Sequence, residues 1–84
     1  MADRITVELK GLTVRYLGKR KRQGKPDADY FKAEIDTPYG PELVNISGNG
    51  VEIGKKYDLR VMIGTFNNTL WFKNLGPIEA VKKF

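Results

Sequence analysis

The chain has 84 residues, with 15 lysines and arginines against 10 aspartates and glutamates, a net charge of +5, and neither cysteine nor histidine. One small domain follows from that length; no disulfide can brace it, Cys-ligated zinc is excluded, and the commonest general base and metal ligand are missing. No apolar run approaches the ~20 residues needed to span a bilayer, and the opening residues are too polar for a secretory signal, so the expectation is a cytoplasmic protein with a polyanionic partner.

Ile5, Val7 and Leu9 alternate with Thr6, Glu8 and Lys10, the period of a half-buried strand. Gly11 follows, and the apolar parity shifts to Leu12, Val14 and Tyr16, which reads as a bulge or bend at the glycine. The segment Arg15–Lys25 then collects six basic residues, Arg15, Lys19, Arg20, Lys21, Arg22 and Lys25, and no acid. Outside it nine basic residues face ten acidic ones, so the excess charge resides in this one stretch. Gln23-Gly24-Lys25-Pro26 is turn chemistry, because Gly24 tolerates φ > 0 and Pro26 fixes its own φ. A turn between strand-like runs predicts a basic β-hairpin arm.

The return strand is predicted over Asp29–Asp36, with Phe31, Ala33 and Ile35 on one face and Tyr30, Lys32 and Glu34 on the other. Thr37–Pro41 is a loop, Leu43–Ser47 a short strand, and Gly48-Asn49-Gly50 a turn leading through Val51–Lys56. Tyr57, Leu59, Val61 and Ile63 alternate with Asp58, Arg60 and Met62 in the clearest strand of the chain. Gly64–Thr69 reads as a hairpin loop with Phe66 at its tip, Leu70–Leu75 as the return, Gly76-Pro77 as a break, and Ile78–Val81 as a last short strand before Lys82-Lys83. With no helical periodicity, no repeat and frequent glycine turns, the fold class is all-β: a small five-stranded Greek-key barrel of the OB type with a protruding basic arm.

Catalytic motifs are missing. Ser47 has no histidine partner, and Gly48-Asn49-Gly50 lacks the third glycine and following helix of a phosphate-binding loop. Asp27 and Asp29 could hold magnesium, but the plainer reading pairs them with the arm's lysines. No enzyme activity, cofactor or small-molecule substrate is expected. Single-strand binding, in contrast, needs cations along a backbone track and aromatic faces for stacking, and both occur. The cations are the six of the arm with Lys32 and Lys73. The aromatic candidates are Tyr30, on the polar face of its strand; Phe66, among polar loop neighbours; Tyr39; and Tyr16, whose parity also suits the core. Trp71 is divided between core, dimer contact and binding surface. The Tyr57–Leu75 hairpin holds more large apolar side chains than one small barrel is expected to bury, which predicts a homodimer.

Arg22-Gln23-Gly24-Lys25-Pro26 resembles the DNA-binding wing of the gene V-type single-stranded DNA-binding proteins of filamentous bacteriophages. Pro41–Ser47 is similar to that family's strand after its tyrosine-bearing loop, Tyr39 to the loop tyrosine, and Phe66 to a phenylalanine of its dyad-loop hairpin. The resemblance implies a dimeric OB fold that coats newly made phage single strands cooperatively during replication. The chain departs from the pattern at Asp27, where the family has a binding tyrosine, at Asn45 and Asn74, where it has cations, and at Leu17, where the first wing arginine falls. Tyr30 and the additional cations Lys19, Arg20 and Lys21 are the expected substitutes. Two other readings stay open: a cellular RNA- or DNA-binding OB module, and a protein-interaction barrel whose arm grips an acidic partner. Lys19–Arg22 also resembles a nuclear-localisation tetrad, which suits an exposed tail better than a hairpin.

Overall fold

A computed structural model describes residues 4–78. Five strands, β1 (Ile5–Arg22), β2 (Lys25–Thr37), β3 (Gly40–Ser47), β4 (Lys56–Phe66) and β5 (Thr69–Pro77), form a closed barrel in the order β1-β2-β3-β5-β4. Four contacts are antiparallel; the fifth, β3 with β5, is parallel through Ser47 and Lys73. This is the small OB-like barrel that the strand count and turn spacing predict. Among the described residues no helix is long and apolar enough to cross a membrane.

β1 closes the barrel because it serves two partners. Its first half, Ile5–Thr13, pairs with β4, and its second, Thr13–Arg22, with β2. Such a strand has to bend; it carries three register shifts, the last of them between Arg20 and Arg22 in the arm. The first, between Leu9 and Leu12, contains Gly11 at φ 71°, with its N–H donating to Asp58 Oδ1 at 2.9 Å. It moves the inward side chains from Val7 and Leu9 to Leu12 and Val14, as the parity change at the glycine predicts.

The second shift is not visible in the apolar pattern. Val14 pairs with Ala33, but Tyr16 pairs with Lys32, so Arg15 is the extra residue of a β-bulge. Because side chains alternate with period two, one extra residue exchanges the faces. Val14 is fully buried, whereas Tyr16 is 48% exposed and opposes Lys32 on the outer surface. The parity that also suited Tyr16 to the core is thereby corrected.

The core consists of Leu12, Val14, Phe31, Ala33, Ile46, Leu59 and Val61, with Val51 inserted from the 48–55 connection. That connection folds over one end of the barrel. Val14 N–H donates to the Lys55 carbonyl at 3.1 Å, Gly54 N–H to the Val14 carbonyl at 2.8 Å, and Glu52 N–H to the Tyr57 hydroxyl at 2.9 Å. An apolar plug held by backbone hydrogen bonds does here what a capping helix would do.

Several boundaries differ from expectation. The arm is strand-paired out to Arg22 opposite Lys25, with a register shift between Arg20 and Arg22 and Gly24 at φ 71° in its turn. The β4–β5 loop shrinks to Asn67-Asn68, at φ 52° and 64°, the paired positive values of a type I′ hairpin turn. Phe66 is therefore the last residue of a strand, yet 71% exposed. Gly76-Pro77 does not break β5 but ends it opposite Arg60 and Leu59. Ile78 lies outside any strand, its N–H donating to the Asp58 carbonyl at 3.0 Å; the rest of the expected last strand and Lys82-Lys83 lie outside the described residues. The barrel also absorbs more of the β4–β5 hairpin than its apolar count suggests. Leu59 and Val61 are buried, and Tyr57, Ile63 and Phe72 pack against the core.

Phe31 is the largest fully buried side chain. Truncating it leaves a cavity in a core with little to spare, so Phe31→Ala should cost about 3–5 kcal/mol. At ~4–8 °C per kcal/mol for a domain of this size, a thermal melt followed by circular dichroism should show the midpoint falling by more than about 10 °C.

Candidate nucleic-acid interface

The barrel register places residues distant in sequence in one transverse row. Gly18 opposes Tyr30, Tyr30 opposes Ser47, and Ser47 opposes Lys73, crossing β1, β2, β3 and β5. At ~4.8 Å per strand the row spans about 14 Å. The adjacent row on the same face runs Tyr16, Lys32, Asn45. Two tyrosines and two lysines thus share one outer surface, set there by the bulge at Arg15 and the alternation of β2.

Gly18 determines how the rings lie. A Cβ built on it would sit 2.7 Å from Tyr30 Cε1 and Cζ and 2.8 Å from Tyr16 Cε2. Both rings therefore fold down over a position only glycine can occupy. Their centroids are 6.1 Å apart at an interplanar angle of 48°. Each ring carries a cation: Arg20 Cζ lies 5.5 Å from the Tyr30 centroid and Lys32 Nζ 5.4 Å from that of Tyr16. Such contacts add attraction of the order of 0.5–1 kcal/mol at exposed sites, and they put a cationic group beside each ring. Gly64 plays the same part for Trp71, its cross-strand partner, whose indole occupies the space of a side chain there. Arg4 Cζ lies 5.7 Å from that ring.

A groove of about 610 Å³ continues this surface between the arm and the β4–β5 hairpin. Arg20 comes from the arm, Asn45 and Ser47 from β3, Lys73 from β5, and Phe66 from the end of β4. Arg20 and Phe66, 46 positions apart in the chain, border one space because the barrel closes.

The expected site residues divide into three groups. Tyr16, Arg20, Tyr30, Lys32, Phe66 and Lys73 lie on the two rows or along the groove. Lys21, Arg22 and Lys25 are exposed on the distal arm, where Arg22 Nε also donates to the Pro26 carbonyl at 3.0 Å. Arg15 and Lys19 are tied to carboxylates: Arg15 Nε to Glu34 Oε1 at 2.9 Å and Lys19 Nζ to Asp29 Oδ1 at 2.7 Å. Of the arm's six cations, four thus have no carboxylate partner among the described residues. Tyr39 is 95% exposed in the β2–β3 turn. From Tyr30 to Thr37 the strand runs roughly 23 Å at ~3.3 Å per residue, so Tyr39 stands well apart from the groove. The groove adds Ser47, Leu70 and Phe72, which composition could not have singled out. Gly18 has a legible signal in retrospect, a glycine inside a strand beside aromatic residues.

Asp29 is held twice, by Lys19 and by Asn49 Nδ2, which donates to Oδ2 at 2.9 Å. The hydrogen bond from Lys19, then that from Asn49, then the charge of Lys19 hold its carboxyl below the usual value of 3.8. The hydrogen bond to Asp29 and that group's charge likewise raise the Lys19 ammonium above 10.5. Both side chains are solvated, so the pair adds little stability.

Compared with protein-family models, curated proteins and solved structures, the chain finds no match in any of the three.

A depressed carboxyl contributes stability above its unfolded value that is lost as pH falls through the folded one. A carbon-13 NMR titration should therefore place the Asp29 midpoint below 3.8, and Lys19→Ala should move it upward by removing the leading cause. A midpoint indifferent to Lys19→Ala would show that the ion pair is not formed in solution.

Proposed function

We propose that this protein is a non-enzymatic single-stranded DNA-binding protein. The observation that carries the proposal is the convergence of Tyr16, Tyr30, Phe66, Arg20, Lys32 and Lys73 on one outer face from four separate strands. An aromatic-lined face flanked by cations suits unpaired bases and a flexible backbone. Backbone cations supply most of the affinity, and stacking tolerates any base. The likeness of the arm's pentapeptide to the phage wing extends the proposal to a role: cooperative coating of phage single strands during replication, in the host cytoplasm. A second copy of the chain would pack on the exposed apolar part of the β4–β5 hairpin, where Leu70 is 60% exposed beside Phe66. Sedimentation without DNA should then report a dimer at micromolar concentration; a monomer would remove this part of the proposal.

Intrinsic fluorescence titration with poly-dT, poly-U and duplex DNA at several salt concentrations tests the central reading. Three or four phosphate contacts per subunit should give a log–log salt slope of roughly −2 to −3 on single strands, with duplex bound more weakly. Phe66→Ala and Tyr30→Ala should each cost about 1–3 kcal/mol of affinity on poly-dT and poly-dA alike and leave the slope unchanged. A flat salt response would refute nucleic-acid binding by charge. Losses confined to the charge variants Lys21→Ala and Arg22→Ala, with Phe66→Ala silent, would favour a barrel that grips an acidic protein.

A further inference from the structure

Beside the stacking face, the barrel has a second cavity of about 310 Å³, near the lower limit of small-molecule sites at ~300 Å³. It opens at the barrel mouth below the arm. Leu17 pairs with Phe31 and Lys19 with Asp29, so these residues continue the inward face of β1 and β2 beyond the core. Gly50, with nothing within 4 Å of where a Cβ would sit, leaves the opening free, and Val51 closes its floor at 8% exposure. Leu17 and Val51 supply an apolar wall; Lys19, Asp29 and Asn49 supply the polar groups.

These polar groups are ordered. Lys19 Nζ donates to Asp29 Oδ1 at 2.7 Å, and Asn49 Nδ2 donates to Oδ2 at 2.9 Å. The series is therefore donor, acceptor, acceptor, donor. Each carboxylate oxygen keeps a further lone pair, the ammonium two more N–H groups and the amide one. Guanine alone among the common bases offers the complement of Lys19 and the two Asp29 oxygens along its Watson–Crick edge, where O6 accepts and N1–H and N2–H donate side by side. Thymine and uracil would set a carbonyl against a carboxylate oxygen. Adenine and cytosine would set a ring nitrogen lone pair there. Setting an acceptor against an acceptor leaves both without a partner, which is the larger part of such discrimination.

We propose that the barrel mouth is a guanine pocket, which takes one base from the strand lying on the adjacent Tyr16–Tyr30 face and gives an otherwise base-tolerant protein a preference for guanine. The inference rests on the single-strand reading and deepens it. It also assigns the Lys19–Asp29 pair, which withdraws a cation from the phosphate track, a recognition role.

The experiment compares twelve-nucleotide oligo-dT with the same strand carrying one central dG, dI or dA, by fluorescence titration on the intact protein. A bidentate base contact discriminates by about 5- to 150-fold, so the dG strand should bind tighter than oligo-dT within that range. The dI strand, without the N2 amino group, should fall between them, and dA should gain nothing. Asp29→Asn, which keeps the shape but replaces an acceptor by a donor, should abolish the preference while oligo-dT binds more tightly, because Lys19 is released to the backbone track. Circular dichroism on this variant verifies the fold, with Asp29→Ser as the replacement should it fail. Equal binding of dG and dT strands by the wild type, or a preference surviving loss of the carboxylate, overturns the guanine pocket. Failure to bind oligo-dT at all overturns the single-strand reading itself.

Discussion

The β-bulge at Arg15 is the constraint on which the rest of the molecule depends. β1 must cover the core with Leu12 and Val14 and then present a ring on the outside at Tyr16. Strict alternation forbids that at a spacing of two. One unpaired residue permits it, and tightens the twist that a small barrel needs to close. Were β1 regular, Tyr16 would point inward beside Phe31, and the outer face would lose one of its two adjacent rings.

Glycines perform the complementary task of making room. Gly18 and Gly64 sit in strands, where glycine is unfavourable by roughly 0.5–1 kcal/mol, and each has an aromatic ring lying across it. The cost is tolerated because the flat ring shields the bare backbone while leaving a face open to solvent. The same arrangement recurs on the two sides of the groove, once under Tyr30 and once under Trp71.

Charge is apportioned by pairing rather than by position in the chain. Six cations lie within one short segment, yet Glu34 and Asp29 neutralise two of them at 2.9 and 2.7 Å. Elsewhere on the surface Glu8 engages Arg60 at 3.3 Å and Glu52 engages Lys55 at 3.6 Å. The cations that meet no carboxylate among the described residues include Arg20, Lys32 and Lys73, those standing nearest the aromatic side chains.

By itself the sequence determined the fold class, the strands, the turn at Gly24, the bend at Gly11 and the basic arm. Those features are local: alternation, glycine and proline chemistry and charge density act over a few residues. It also marked several residues of the outer face and groove, since Tyr30 and Lys32 share a parity and Phe66 stands among polar neighbours. Only the tertiary structure decided which candidates meet. Arg20, Phe66 and Lys73 are brought together by the parallel contact of β3 with β5, which nothing local encodes. Tyr39, equally aromatic and more exposed, is left a strand's length away. The outward turn of Tyr16 was hidden because a bulge at an arginine leaves no mark in the apolar pattern, and the Lys19–Asp29–Asn49 series because its members join only when the 48–55 connection folds over the barrel end.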